Sequence, residues 1–231
     1  MIRQSRPTVL LTRPLQDATR FAARLNGPVM ISPLAEVRFL AVDVPQAAAV
    51  IFTSANAVAA LRGGRPAARA WCVGDRTAQA ARQAGFAAVS AGGDAEALLA
   101  AILDSGDRGP LVHPRGRDSL GDLAGRLSAA GIPAIGVVVY ELAPLPLSAD
   151  ARALLEGCGT VIAPLFSPAS ARRFHQVVAG TGCRLVHACL SAAVARAVPG
   201  GIRHIAARPD ADAMVDLIAA LQGLETSPMQ S

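Results

Sequence analysis

Lysine is absent from this chain: all 22 basic positions among its 231 residues are arginine. That excludes a Walker A lysine, a Schiff-base lysine, and with it pyridoxal-phosphate chemistry of the usual kind. Aromatic residues are scarce too, with six Phe, one Tyr and one Trp. The arginines are scattered, and neither clustered charge nor a stacking platform for bases is present. Nucleic acid is therefore not the expected partner, despite a net charge of +5 and a pI near 9.8. Dispersed arginines suit a small anionic ligand better. No uninterrupted apolar run approaches the ~18–20 residues of a membrane helix. The opening Met1-Ile2-Arg3-Gln4-Ser5-Arg6-Pro7 has neither the apolar core nor the small-residue cleavage site of an export signal. A cytoplasmic protein without membrane contact is the expectation.

Other absences narrow the chemistry. Cys72, Cys158, Cys183 and Cys189 form no C-x-x-C pair and read as free, mostly buried thiols. Cys183, His187 and Cys189 are close in sequence. However, Leu185-Val186-His187-Ala188 reads as a strand, which puts 187 and 189 on one face and leaves 183 before it. With no second half of a zinc site, these are core thiols beside an incidental histidine, and no metal is expected. His113, His175 and His204 lack a carboxylate or nucleophile at a useful spacing and read as ordinary surface or loop histidines. There is no G-x-S-x-G, no H-E-x-x-H and no G-x-G-x-x-G after a strand; Gly63-Gly64 and Gly92-Gly93 are too short for a nucleotide loop.

What is present is alternation. Val9-Leu10-Leu11-Thr12, Val29-Met30-Ile31, Val50-Ile51-Phe52, Trp71-Cys72-Val73, Ala88-Val89, Leu111-Val112, Ile135 to Val139, Val161-Ile162, Arg184 to Val186 and His204-Ile205 read as short strands. Ala-rich helical stretches separate them, the first carrying Leu15, Ala18, Ala22 and Leu25 at helical spacing. Fully apolar strands alternating with helices predict an α/β fold, a parallel sheet covered on both faces. The tail from Glu225 to Ser231 reads as disordered.

An internal repeat divides the pattern. Ile51-Phe52-Thr53-Ser54-Ala55-Asn56-Ala57 aligns with Pro164-Leu165-Phe166-Ser167-Pro168-Ala169-Ser170. Val73 to Ala80 aligns with His187 to Val194, pairing Thr77 with Ser191, and Asp94 to Leu98 aligns with Asp210 to Met214. Leu11-Thr12-Arg13-Pro14 has an echo in Val112-His113-Pro114-Arg115-Gly116. Two related α/β halves are expected. Tandem halves would begin near 9 and 111, whereas extended segments near Ser32-Pro33-Leu34 and from Glu141 to Pro146 suit a chain that leaves one domain, builds another and returns. The repeat accommodates both arrangements.

The repeated blocks place Ser, Thr or Asp where a strand ends and a helix begins. Unpaired N–H groups and the helix dipole favour anions there, and ligands of open α/β sheets bind at the carboxyl ends of strands. Thr53, Ser54, Thr77, Ser167 and Ser191 are thus either plain caps or, taken together, parts of a carboxylate- or phosphate-binding cleft. Tyr140, the only tyrosine, ends the strongest β run; it is either packing with a wet hydroxyl or a proton or hydrogen-bond donor.

Leu11-Thr12-Arg13-Pro14, Phe52-Thr53-Ser54-Ala55-Asn56-Ala57-Val58, Val73-Gly74-Asp75-Arg76-Thr77-Ala78, Val137-Val138-Val139-Tyr140 and Ala207-Arg208-Pro209-Asp210 together resemble the uroporphyrinogen-III synthase family. The resemblance implies two α/β domains, 1–34 plus 146–231 and an inserted 35–145, joined by two extended linkers with a cleft between them. It implies a substrate, hydroxymethylbilane, that is a linear tetrapyrrole with eight carboxylates. The reaction closes it with loss of water and inversion of ring D through a spiro intermediate, and without metal or organic cofactor. Tyr140 matches the family's tyrosine and would help the hydroxyl leave. Thr53, Ser54, Thr77, Ser167 and Ser191 would contact acetate or propionate groups, with Arg13 and Arg115 as carboxylate partners or, equally, surface ion-pairing residues. A monomer is expected, with transient contact with the preceding pathway enzyme possible in principle. The sequence departs from the family where Leu165-Phe166-Ser167 stands for Phe-Thr-Ser, Ala188-Cys189-Leu190-Ser191 for a Gly-Pro-x-Thr block, and Glu141 for an arginine. These departures support a competing reading, a non-catalytic two-domain relative that binds a carboxylated ligand. A nucleotide-dependent enzyme is a third reading, which the missing glycine motif opposes.

Overall fold

A computed structural model describes residues 6–61, 63–119, 121–178 and 180–224; the tail read as disordered lies outside these. The chain divides into two compact units, Met1–Glu36 with Pro144–Ser231, and Val37–Ala143.

The first unit holds β1 (Thr8–Leu11), α1 (Leu15–Ala22) and β2 (Val29–Ile31) from the start of the chain. The end of the chain adds α6 (Ala149–Glu156), β9 (Thr160–Leu165), α7 (Pro168–Val177), β10 (Arg184–Cys189), α8 (Ala192–Arg196), β11 (Ile202–Ile205) and α9 (Ala211–Leu224). Its sheet runs β2-β1-β9-β10-β11, every neighbouring pair parallel. Strand alternation sends Leu10 to a core with Leu155 and Phe174, and Val9 and Leu11 to a second core with Phe21, Met214 and Ile218. The central strands β1 and β9 are thus buried on both faces, which is why they read as plain apolar runs.

Between these segments come β3 (Ala35–Phe39), β4 (Ala49–Phe52), α2 (Ala55–Ala60), β5 (Arg69–Cys72), α3 (Asp75–Gln83), β6 (Ala87–Ser90), α4 (Ala95–Asp104), β7 (Leu111–Gly116), α5 (Leu123–Ala129) and β8 (Ala134–Pro144). The order of the second sheet is β3-β8-β7-β4-β5-β6. Val50, Phe52 and Val112 face α2 and α3, while Ala49, Ile51 and Leu111 face α4 and α5. Helices α3 and α5 end alike. Gly85 and Gly131 take positive φ, and the N–H groups of Phe86 and Ile132 reach back to Ala81 and Leu127. A side chain would strain either turn. Strand β3 was not foreseen from the sequence, because Glu36 and Arg38 break its apolar run.

Omitting β3, the first sheet has the doubly wound order 2-1-3-4-5 and the second, numbered along the chain, 3-2-1-4-5. The two are circular permutations of one another, with β1, β2, β9, β10 and β11 matched by β7, β8, β4, β5 and β6. Along the chain, β1, β2 and β4 to β6 form one full set of five, and β7 to β11 form the next. In space, each unit combines strands from both sets. The repeat is tandem in sequence, and each unit draws strands from both copies.

Candidate functional site

In the doubly wound order, the chain departs in opposite directions from two adjacent central strands, and ligands gather at the carboxyl ends of that pair. In the second unit the pair is β7 and β4; in the first it is β1 and β9. Register makes the two edges comparable. Val9 pairs with Ile162 and Leu111 with Ala49, while Ala49 and Ile162 share the 113-residue offset that relates Ser54 to Ser167. Val9 therefore corresponds to Leu111, and Arg13 to Arg115.

At the β4–β7 edge, Thr53 follows β4 and Ser54 caps α2, its hydroxyl accepting from the Asn56 N–H at 3.2 Å. The Thr53 hydroxyl is instead 3.1 Å from Nε2 of His113. His113 is 3% exposed on β7, which corrects its reading as a surface or loop histidine. The strand continues past its apolar start, so alternation sends His113 inward beside Leu111, where Thr53 answers its polarity. Burial pushes the imidazole down to about 4, the Arg115 charge acts in the same direction, and Asp122 opposes it. His113 is neutral at pH 7.

Arg115 is half-buried. It donates to the Gly116 carbonyl at 3.3 Å, and no carboxylate pairs with it among the described residues. A register shift between Arg115 and Gly116 brings Gly116 opposite Tyr140 on β8. Tyr140 is half-buried, its apolar body against the Phe52–Val139 core. Glu141, the charge that departs from the family pattern, is ion-paired with Arg117 at 2.8 Å.

The β1–β9 edge has the same frame with different groups. The Arg13 guanidinium lies 4.0 Å over the Phe166 ring and 3.7 Å from Asp17. Phe166 takes the place of Thr53, and its ring packs edge-on against Phe21 at 5.0 Å. Ser167 forms a capping box with Ser170, and Ser191 caps α8. Thr77 does not match Ser191: it is the third residue of α3, buried with 7% exposure, and Gly74 holds the cap position. The β5 and β10 ends align at Cys72 and Cys189, so the sequence alignment of this block is three residues out of step, a slip that Ala-rich helices permit. The carboxyl edge of the second sheet thus carries Thr53, Ser54, Arg115 and Tyr140, with Thr77 inside the adjoining helix. Arg13, Ser167 and Ser191 lie on that of the first. Sequence reasoning missed His113, although the two-residue spacing of Leu111, His113 and Arg115 carries the signal.

His187 is buried on β10, with Nδ1 3.2 Å from the Ile202 carbonyl, and burial lowers its pKa. Cys72, Cys183 and Cys189 are buried and their thiols pushed up, Cys72 to about 11. Among the described residues no three His, Cys, Asp or Glu side chains gather as a metal would need, and no helix is long and apolar enough to cross a membrane.

No protein of curated function matches the chain in sequence. The solved structure of uroporphyrinogen-III synthetase from Helicobacter pylori 26695 has a TM-score of 0.71 at 18% identity, covering 94% of this chain and 99% of that one. A mutant uroporphyrinogen-III synthase from Thermus thermophilus has a TM-score of 0.52 at 14% identity, with coverages of 94% and 99%. These likenesses are of fold. The model of the family described as uroporphyrinogen-III synthase HemD matches residues 21–216. With that match spanning most of the sequence, the chain belongs to the uroporphyrinogen-III synthase family.

Proposed function

We propose that the chain closes hydroxymethylbilane to uroporphyrinogen III: loss of the terminal hydroxyl as water, attack by ring D through its substituted carbon, and reopening and reclosure of the spiro intermediate with ring D inverted. The observation that carries this reading is the β4–β7–β8 edge, where Arg115 has no carboxylate partner among the described residues and Tyr140 stands opposite the next residue, Gly116. A polyanionic substrate needs a cation whose charge is not already satisfied. A leaving hydroxyl needs a donor, and Tyr140 is the donor in this reading.

The pyrroles supply the chemistry, so the protein's work is to fold a flexible chain and hold ring D for attack. In this reading Arg115 takes a substrate carboxylate together with Thr53 and Ser54. Arg13, Ser167 and Ser191 take further carboxylates, with the arginine charges drawing the substrate in. Thr77 belongs to the same set through the start of α3 rather than through a cap. The enzyme would work as a cytoplasmic monomer, and an unstable substrate favours transient contact with the enzyme that releases it.

The ion pair of Glu141 with Arg117 removes the main electrostatic argument for a non-catalytic binder. The test uses freshly generated hydroxymethylbilane and separates the type III from the type I product. Wild-type protein is expected to give mainly type III, and Tyr140→Phe to give it at least tenfold more slowly. Only type I, formed at the rate seen without protein, overturns the proposal.

A further inference from the structure

We propose that His113 is a positioning residue for Thr53: its Nε2–H donates to Thr53 Oγ1 and turns the hydroxyl proton outward, toward a substrate carboxylate. The inference rests on the reading that a carboxylated substrate binds at the β4–β7 edge.

A threonine hydroxyl has one proton and two lone pairs, and a neutral imidazole has one donor and one acceptor nitrogen. If Nε2 accepted, the single Thr53 proton would be spent on His113, and an incoming carboxylate would meet only lone pairs. With Nε2 as donor, a lone pair is occupied and the proton is released for the anion. His113 is nearly inaccessible and lies 3.1 Å from the hydroxyl, and as a neutral imidazole it can do this in the tautomer that carries its proton on Nε2. The corresponding edge of the first unit has Leu11 and Phe166 in these two places. The hydroxyl–imidazole pair therefore distinguishes two edges that otherwise share strand order, a capping serine and an arginine. Its ligand class is a carboxylate that accepts one hydrogen bond from Thr53.

Two readouts test this. Ring ¹⁵N NMR of the folded, substrate-free protein, with the His113 signal assigned by its loss in His113→Gln, is expected to show the Nε2-protonated tautomer; the Nδ1-protonated form would overturn the proposal. In steady-state kinetics of type III formation, His113→Leu should raise KM about tenfold with little change in kcat, as a lost bond to a charged group does. His113→Gln, whose amide N–H can reach the same oxygen, should recover most of that loss. In a Thr53→Val background His113→Leu should add nothing further; an equal increase in both backgrounds means that His113 acts by another route. A wild-type protein that makes no type III product defeats the substrate reading, whereas a wrong tautomer or additive variants defeat this inference alone.

Discussion

The phenol ring of Tyr140 lies across the Cα of Gly116: a Cβ built there would stand 2.7 Å from Tyr140 Cζ and 2.9 Å from its hydroxyl oxygen. The glycine is required for space, since its φ is not positive. Gly116→Ala must therefore displace the ring. The expected outcome is a loss of kcat comparable to that of Tyr140→Phe, together with about 1–3 kcal/mol of destabilisation from overpacking. Denaturant unfolding and type III kinetics on both variants check this; a Gly116→Ala protein with wild-type kcat would separate the position of the ring from the reaction.

Among the described residues Arg115 donates only to the neighbouring Gly116 carbonyl, so neutralising it should cost the fold little. Arg115→Gln is expected to change unfolding free energy by within about 0.5 kcal/mol. It should raise KM by about 10- to 100-fold, the value of a charge-assisted carboxylate contact. Arg13→Gln should also raise KM but cost more stability, because Arg13 packs on Phe166 and lies beside Asp17. Kinetics and urea melts of the two variants give the comparison.

The ion pair between Glu141 and Arg117 is solvent-accessible on both sides, and such pairs contribute about 0–1 kcal/mol. Glu141→Gln should leave stability nearly unchanged and lower KM, because Arg117 then adds an uncompensated positive charge. A higher KM would give Glu141 a direct part in binding.

Stability should depend on pH through His113. Its folded pKa, about 4, lies below the ordinary 6.5 of an exposed imidazole. Between these values the unfolded chain binds more protons, so stability is complete above pH 6.5 and falls as the pH drops toward 4, by at most ~3 kcal/mol from this residue. His187 is shifted in the same direction and adds to the slope. Urea unfolding at pH 7 and pH 5 should show a smaller difference in His113→Gln than in wild type.

Cys158 is the one exposed thiol; Cys72, Cys183 and Cys189 are buried, and burial pushes their thiols up. A thiol reagent should therefore label one cysteine in the native protein and four after unfolding.

The sequence conveyed the fold where physics acts locally. Runs such as Ala49–Phe52 are buried on both faces and look apolar from end to end, and Ser54, Asp94, Ser167 and Ser191 mark helix starts with side-chain caps. It was less legible where tertiary contacts override local signals. The last four residues of β7, His113-Pro114-Arg115-Gly116, carry a proline, which is ordinarily a strand breaker. Pro114 is tolerated there because it lies beyond the residues paired with β4. The polar partner of the buried His113 is Thr53, 60 residues earlier, a pairing that no local spacing reveals. Thr77 seemed to open a helix because the alanines around it align as well at one offset as at another.

The most direct test of the central claim is the number of type III molecules formed per chain, with hydroxymethylbilane in large excess over the protein. The account predicts many turnovers, with type III far above type I until substrate is exhausted. A total of no more than one per chain, with type I accumulating at the uncatalysed rate, would contradict it and leave a protein that binds a carboxylated tetrapyrrole without transforming it.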